Sequence, residues 1–273
     1  MSQQQVANPA EVYEQFIVPT FFIPWTPVLL KYARPRLGER VLDLACGTGI
    51  VARHVAPIVG ANGKVTALDV SPAMLEVARN LPAPVGALIE WREGNAVDLP
   101  LADGAFDLVL CQQGFQFFAD RAAAAREMRR VLAPSGRVAL SVWQALDHHP
   151  FYLALFEAMA RQLDAPVAAL AMAFSFGDAE EMRALLSAAG LSEVGITPES
   201  LTIRFPSLDR FLSLSVRSAA AIIPAFAQLD EPARSVLVEA VGGEIKGNTA
   251  LRRYIEGDVV VIPMSAHVAV AHA

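Results

Sequence analysis

The chain has 273 residues, 54% of them apolar and 18% charged, with 22 Lys and Arg against 28 Asp and Glu and a net charge of −6. A mean hydropathy of +0.38 excludes intrinsic disorder, which needs low hydrophobicity and high charge. An acidic chain with no basic block is a poor nucleic-acid binder, because phosphate contacts need clustered Lys and Arg.

The N-terminus begins Met-Ser-Gln-Gln-Gln and carries Glu11 and Glu14, so it lacks the basic region of a secretory signal. Residues 1–36 are rich in aromatics and prolines (Tyr13, Phe16, Phe21, Phe22, Pro24, Trp25) and predict helices laid over the edge of a sheet. Residues 41–45 read as a strand running into Cys46-Gly47-Thr48-Gly49, and residues 50–58 as a helix. Residues 64–70 form the next strand. Ser71 as N-cap and Pro72 at the first position open a helix over Pro72–Asn80. Residues 88–92 are a short strand, and residues 106–111 a continuous apolar run suited to a central parallel strand.

Residues 121–132 predict a helix ended by Pro134-Ser135-Gly136, with Arg126, Arg129 and Arg130 on a solvated face; residues 137–143 return as a strand. Pro150–Leu163 and residues 178–189 are expected helices, residues 190–205 hold a strand, residues 207–241 are mostly helical, and residues 259–270 form a last strand. The alternation of strand and helix predicts an α/β fold, a parallel sheet covered on both faces. No stretch reaches the ~20 consecutive apolar residues of a membrane span. The expected organisation is a helical cover over 1–36, a binding core over 37–145, and a C-terminal part over 146–273 of the same domain, with a helical cap at about 207–257. The two Cys, Cys46 and Cys111, fall in elements expected to be buried and fit a reducing cytoplasm.

The most informative segment is Val41-Leu42-Asp43-Leu44-Ala45-Cys46-Gly47-Thr48-Gly49-Ile50-Val51-Ala52. Its glycines let the backbone approach a ligand, and the helix N-terminus faces that ligand. Asp69, at the end of the next strand, can accept both hydroxyls of a ribose. The combination points to an adenosine-containing ligand. Gly47-x-Gly49-x-x-Ala52 also fits a dinucleotide fingerprint, so a nicotinamide dehydrogenase is an alternative. Against it, Asp43 inside the first strand would repel a pyrophosphate. It suits a ligand with a cationic amino-acid end, directly or through a water, and it can also order the loop by accepting its N–H groups.

Over residues 38–145 the chain resembles the class I S-adenosylmethionine-dependent methyltransferases, in the type 11, quinone-biosynthesis-like small-molecule branch. The resemblance rests on Asp43–Gly49, with Ala45 at the first glycine position, and on Asp69. It rests also on Gly94-Asn95-Ala96 with Leu99-Pro100, where Asn95 replaces Asp, and on residues 106–110 and 130–137. It implies a Rossmann-like, doubly wound sheet of seven strands, mostly parallel, with the last strand antiparallel. It implies S-adenosyl-L-methionine as cofactor, held by Asp43, Ala45, Cys46, Gly47, Gly49, Asp69, Val70, Met74, Asn95, Ala96, Gln112 and Gln113. Val70 and Met74 would sandwich the adenine.

In the resembled family the stretch after the fourth strand, here Cys111 to Phe118, lines the meeting point of cofactor and acceptor. Its polar groups are glutamines, which do not titrate. Tyr13, Phe21, Phe22, Trp25, Gln116 and Phe117 are the candidate acceptor wall, an apolar and aromatic cavity. Asp147, His148 and His149 precede Pro150. His148 and His149 are the candidate bases, or the three residues are a capping turn. No metal site is expected, since no acidic cluster stands at the expected face.

The implied activity is methylation of a small apolar or aromatic molecule at oxygen or carbon by direct in-line transfer. An elimination or rearrangement on the same cofactor and a nicotinamide-dependent dehydrogenase are the alternatives. The expected partner is a small-molecule acceptor, with no nucleic acid and no membrane span; a homodimer stays open, and the expected location is cytoplasmic.

Overall fold

A computed structural model of the chain describes residues 8–220 and 229–273. Among the described residues, an eight-stranded sheet has the order β3-β2-β1-β4-β5-β8-β6, with β7 paired to β8. The strands are β1 (Arg40–Leu44), β2 (Lys64–Asp69), β3 (Ile89–Glu93), β4 (Phe106–Gln112), β5 (Leu132–Trp143), β6 (Ser192–Phe205), β7 (Ile255–Glu256) and β8 (Val259–His272). The pairs β1–β2, β1–β4, β2–β3 and β4–β5 are parallel.

The last strand runs the other way. The Gln144 N–H bonds the Ser265 carbonyl and the Ala273 N–H bonds the Gly136 carbonyl, so β8 descends as β5 ascends. This is the expected antiparallel insertion, and the two-residue β7 makes the eighth strand.

The chain divides into two compact units: residues 1–142, 178–199 and 266–273, and residues 143–177 and 200–265. In the first, Val41, Leu42, Leu44, Leu108, Val109 and Leu110 are fully buried, because helices cover both faces of the central strands. The helix α3 (Ile50–Val59) sends Val51, Ala52, Val55, Ala56 and Val59 into that core. The high apolar fraction of the chain is a consequence of this twice-covered sheet. Helix α4 (Pro72–Asn80) starts where expected, with Ser71 Oγ accepting from the Met74 N–H.

The N-terminal cover departs from expectation in form and place. It is α1 (Pro9–Val12), a π-helical stretch Tyr13–Phe22, and α2 (Ile23–Ala33). Pro19 has no N–H to give, so a regular α-ladder is broken inside this stretch. Gln112 Nε2 donates to the Phe22 carbonyl at 3.1 Å, so the cover lies at the C-terminal end of the central strand β4 rather than over a sheet edge. Its far end is fastened by buried Arg137, which donates to the carbonyls of Ala33 and Arg34 and pairs with Glu39. Taken together, Pro9–Ala33 is a helical run of 25 residues, long and apolar enough by length and composition to cross a membrane, although polar residues interrupt its apolar sequence. Val18, Phe21, Trp25, Thr26, Leu29 and Ala33 are buried in the protein.

Helix α5 (Arg121–Val131) ends at Leu132, and β5 begins at once. Phe106 pairs with Leu132 and Leu108 with Arg137, so Pro134-Ser135-Gly136 sits in a bulge of β5 rather than before it. In the second unit, α6 (Pro150–Leu163) is followed by the short α7 (Val167–Leu170). In the first, α8 (Ala179–Ala188) is capped by Asp178. Helices α9 (Leu208–Ala220) and α10 (Glu231–Gly247) account for the expected helical run; its residues 221–228 lie outside the described residues. Rings of Phe151, Tyr152, Phe174 and Phe211 pack edge-on or tilted in the second unit.

Candidate cofactor and acceptor site

The site is built on the strand ends at the switch point of the sheet, where β1 turns from β2 on one side to β4 on the other. After Leu44 the chain turns through Ala45 (φ 56°), Gly47 (φ 55°) and Gly49 (φ 85°), all left-handed. Gly49 is the N-cap of α3, and a Cβ there would lie 2.3 Å from the Trp91 ring, so no larger residue fits. Gly47 instead faces Tyr13, whose hydroxyl would stand 3.6 Å from such a Cβ.

Two carboxylates hold this loop. Asp69, half-buried at the end of β2, accepts from the Gly47 N–H at 2.7 Å and from the Ser71 N–H at 2.9 Å. Asp43 lies buried beneath the loop and accepts from the Ala52 N–H, in the first turn of α3, at 2.9 Å. Burial pushes the Asp43 carboxyl up to about 7; the Ala52 N–H opposes the rise, the Asp69 charge adds to it, and Arg53 opposes it.

Beside the loop opens a pocket of about 220 Å³. Its walls include Ala45, Asp69, Val70, Asn95, Ala96 and Phe117, all candidates from the sequence; Gly94 and Phe118, from the same two segments; and Val97 and Asp120, which the sequence did not point to. Val70 is 68% exposed and offers a flat apolar contact. Asn95 Oδ1 accepts from the Val97 N–H, which leaves its amide nitrogen as a donor toward a ring nitrogen. Met74 is half-buried on α4 and does not line this pocket.

The wall has a support the sequence reading missed. Glu127 accepts from the Leu99 N–H at 2.8 Å, and Arg130 donates to the carbonyls of Leu99 and Leu101 and pairs with Glu127 and Asp103. Arg129 reaches the Gly190 carbonyl. The expected solvated arginine face is therefore corrected for both: the loop after β3 has carbonyls with no ladder partner, and Arg130 satisfies two of them. The Glu127-x-x-Arg130 spacing, one turn apart on α5, was the available signal.

On the acceptor side, Phe21, Trp25 and Gln116 are buried, Phe22 and Tyr13 half-buried with rings 5.5 Å apart, and Phe117 is 46% exposed. Burial, and next the Asp69 charge, drives the Tyr13 phenol far above its ordinary pKa, so it stays a neutral donor. Beside Tyr13, Glu14 pairs with Arg53 at 3.5 Å, and Arg53 also donates to the Thr48 carbonyl. Neither residue was singled out from the sequence.

His148 and His149 fall in the second unit. His148 is exposed, 3.8 Å from Asp147. His149 is buried, and both its ring nitrogens meet backbone: Nδ1 faces the Ala145 carbonyl at 3.1 Å and Nε2 the Ser265 N–H at 3.0 Å. Nε2 also lies 3.0 Å from the Ser265 carbonyl, so backbone surrounds the ring, and burial holds it below the ordinary imidazole pKa.

The donor set decides between ligand classes. Two carboxylates flank the glycine loop, and the adjacent cation, Arg53, is occupied by Glu14 and Thr48. Such a site repels a pyrophosphate and fits the ribose and cationic amino-acid end of S-adenosylmethionine. The antiparallel β8 between β5 and β6 also departs from the all-parallel dinucleotide-binding order.

The comparisons with known proteins agree. Residues 42–140 match the methyltransferase domain family. The 2-phytyl-1,4-naphtoquinone methyltransferase of Synechococcus elongatus is 35% identical over 130 residues, 47% of this chain and 54% of that protein. The ubiquinone/menaquinone biosynthesis C-methyltransferase UbiE of Hahella chejuensis is 39% identical over 116 residues, 42% of this chain and 47% of that protein. The chain thus spans about half the length of these curated relatives. Among solved structures, YcgJ of Bacillus subtilis has a TM-score of 0.56 at 20% identity, covering 92% of this chain and 98% of that one. Phosphoethanolamine N-methyltransferase 2 of Haemonchus contortus, solved with S-adenosyl-L-methionine, has a TM-score of 0.57 at 17% identity, covering 96% and 56%. These two are likenesses of fold alone. Residues 42–140 therefore carry a match to the methyltransferase domain family, set on a Rossmann-like, mostly parallel sheet with an antiparallel last strand.

Proposed function

We propose that the chain is an S-adenosylmethionine-dependent methyltransferase acting on a small apolar or aromatic acceptor, at carbon or oxygen. One observation carries the reading: the Asp69 carboxylate, tied to the Gly47 N–H, borders a pocket that continues to Val70, Asn95 and Ala96. In this reading Asp69 holds the ribose, Asn95 meets the adenine edge, Val70 flanks the ring, and Ala45, Cys46, Gly47 and Gly49 offer backbone to the methionine end. Asp43 serves the amino group, and Gln112 and Gln113 stand where cofactor and acceptor meet. The relatives named above for naphthoquinone and ubiquinone/menaquinone methylation support an apolar acceptor.

When bound, the cofactor supplies a methyl carbon activated by a sulfonium; the acceptor's electron pair takes that carbon as the carbon–sulfur bond breaks, leaving a neutral thioether. The chain's own part is alignment and exclusion of water. Asp69 and the glycine loop fix one reactant, and Tyr13, Phe21, Phe22, Trp25, Gln116 and Phe117 enclose the other. We take residues 1–36 as cover and 37–145 as the cofactor core. The buried free thiols Cys46 and Cys111 suit a reducing cytoplasm.

Calorimetric titration with S-adenosylmethionine and S-adenosylhomocysteine tests the reading. Binding of both is expected, followed by acceptor products heavier by one methylene per turnover. A folded protein that binds neither would overturn it.

A further inference from the structure

The C-terminal end of β4 carries hydrogen-bonding capacity that the protein does not use. Gln113 and Gln116 are 3% and 2% exposed, and both amide atoms of each lack a partner among the described residues. Gln112 Oε1, and Ser141 Oγ on the paired position of β5, are in the same state. A buried amide with no partner destabilises a fold, and a ligand that pairs with it recovers that loss.

The backbone marks the same spot independently. Gln113 (φ 53°) and Ala45 (φ 56°) are left-handed non-glycine residues at the ends of β4 and β1, the two strands that flank the switch point. The residue after Gln113 packs directly on the glycine loop: a Cβ on Gly114 would stand 2.6 Å from the Ala45 Cβ. The strain fixes where the Gln113 side chain begins.

Charge narrows the ligand. An anionic group would need a free cation, but Arg53 serves Thr48 and Glu14, and Arg121 serves the Gln116 carbonyl. A cationic group would need a spare carboxylate on the acceptor side, but Glu14 pairs with Arg53 and Asp120 caps α5. Two neutral amides, each with a donor and an acceptor edge, match hydroxyl and carbonyl groups. We propose that Gln113 and Gln116 form the polar end of the acceptor subsite and select uncharged aromatic molecules bearing a hydroxyl or carbonyl. This rests on the methyltransferase reading for the word acceptor, not for the subsite itself.

The test titrates dihydroxynaphthalene, naphthylmethylammonium, naphthyl phosphate and naphthalene into the protein, with and without S-adenosylhomocysteine. The parent is expected to prefer dihydroxynaphthalene by more than about tenfold over the other three. Gln116→Leu should abolish the preference, keep S-adenosylhomocysteine affinity, and raise the unfolding midpoint by about 2–4 °C, because an unpaired buried amide is gone. Gln113→Asn, which tolerates the left-handed backbone but shortens the reach, should also lose the preference. A parent without the preference overturns the proposal. So does either variant that keeps it, and so does a lowered midpoint in Gln116→Leu with the preference intact. Loss of S-adenosylhomocysteine binding in the parent strikes the methyltransferase reading alone, since the probe preference is also read without it.

Discussion

The Asp69 carboxylate and the Gly47 backbone are joined by a 2.7 Å hydrogen bond that spans two neighbouring parallel strands. The bond sets the loop's height above β1 and leaves the carboxylate on the pocket wall. Asp69→Ala removes it together with the bond from Ser71. The expected loss of S-adenosylmethionine affinity is about 1.5–3 kcal/mol, the scale of a hydrogen bond to a charged group. Calorimetry reads it directly, and an unchanged dissociation constant would remove Asp69 from the ribose site.

Gly47 and Gly49 share a left-handed backbone yet predict different outcomes on mutation to Ala. At Gly49 the new methyl would meet the Trp91 ring at 2.3 Å, so backbone strain and a clash add. At Gly47 the space is open to ordinary contact with Tyr13, and strain of about 1–2 kcal/mol is the main cost. Thermal unfolding should show Gly49→Ala well below Gly47→Ala. Gly47→Ala should instead show its larger loss in cofactor binding, because the methyl occupies the space under Tyr13. Equal midpoints for the two variants would contradict the Trp91 contact.

Local chemistry made parts of this structure readable in the sequence. Ser71-Pro72 fixes the start of α4 within one turn, and the glycine pattern after Asp43 places the loop, because both signals act through neighbouring backbone. The cover was misplaced because what positions it is remote in sequence: Gln112 with Phe22, and Arg137 with Ala33, Arg34 and Glu39. The same holds for Arg130, which reads as a surface charge on its own helix and is a clamp only when the loop after β3 is beside it.

That clamp predicts a distant effect on the pocket. Arg130→Met keeps the helix and the aliphatic stem but releases the carbonyls of Leu99 and Leu101. The segment from Gly94 to Leu101 should then exchange its amide hydrogens faster, and S-adenosylmethionine should bind a few-fold more weakly without a change in the far side of the sheet. Hydrogen exchange resolved by peptide checks both. Unaltered protection in that segment would show that the wall stands without Arg130.

Asp43 gives the fold a dependence on pH whose sign follows from its burial. Its carboxyl titrates at about 7 in the folded chain against an ordinary 3.8. Between those values the folded chain keeps a proton that the unfolded chain has released, so stability falls as pH rises through that window. The contribution is fully present below about pH 4 and gone above about pH 7, at most about 1.4 kcal/mol for each pH unit crossed. Asp43→Asn keeps an oxygen for the Ala52 N–H and cannot ionise. Relative to the parent it should match in acid and be the more stable chain near pH 8. Urea midpoints of both proteins across the window decide the matter: the parent's should decline more steeply than the variant's, and two parallel profiles would show that Asp43 is ionised throughout.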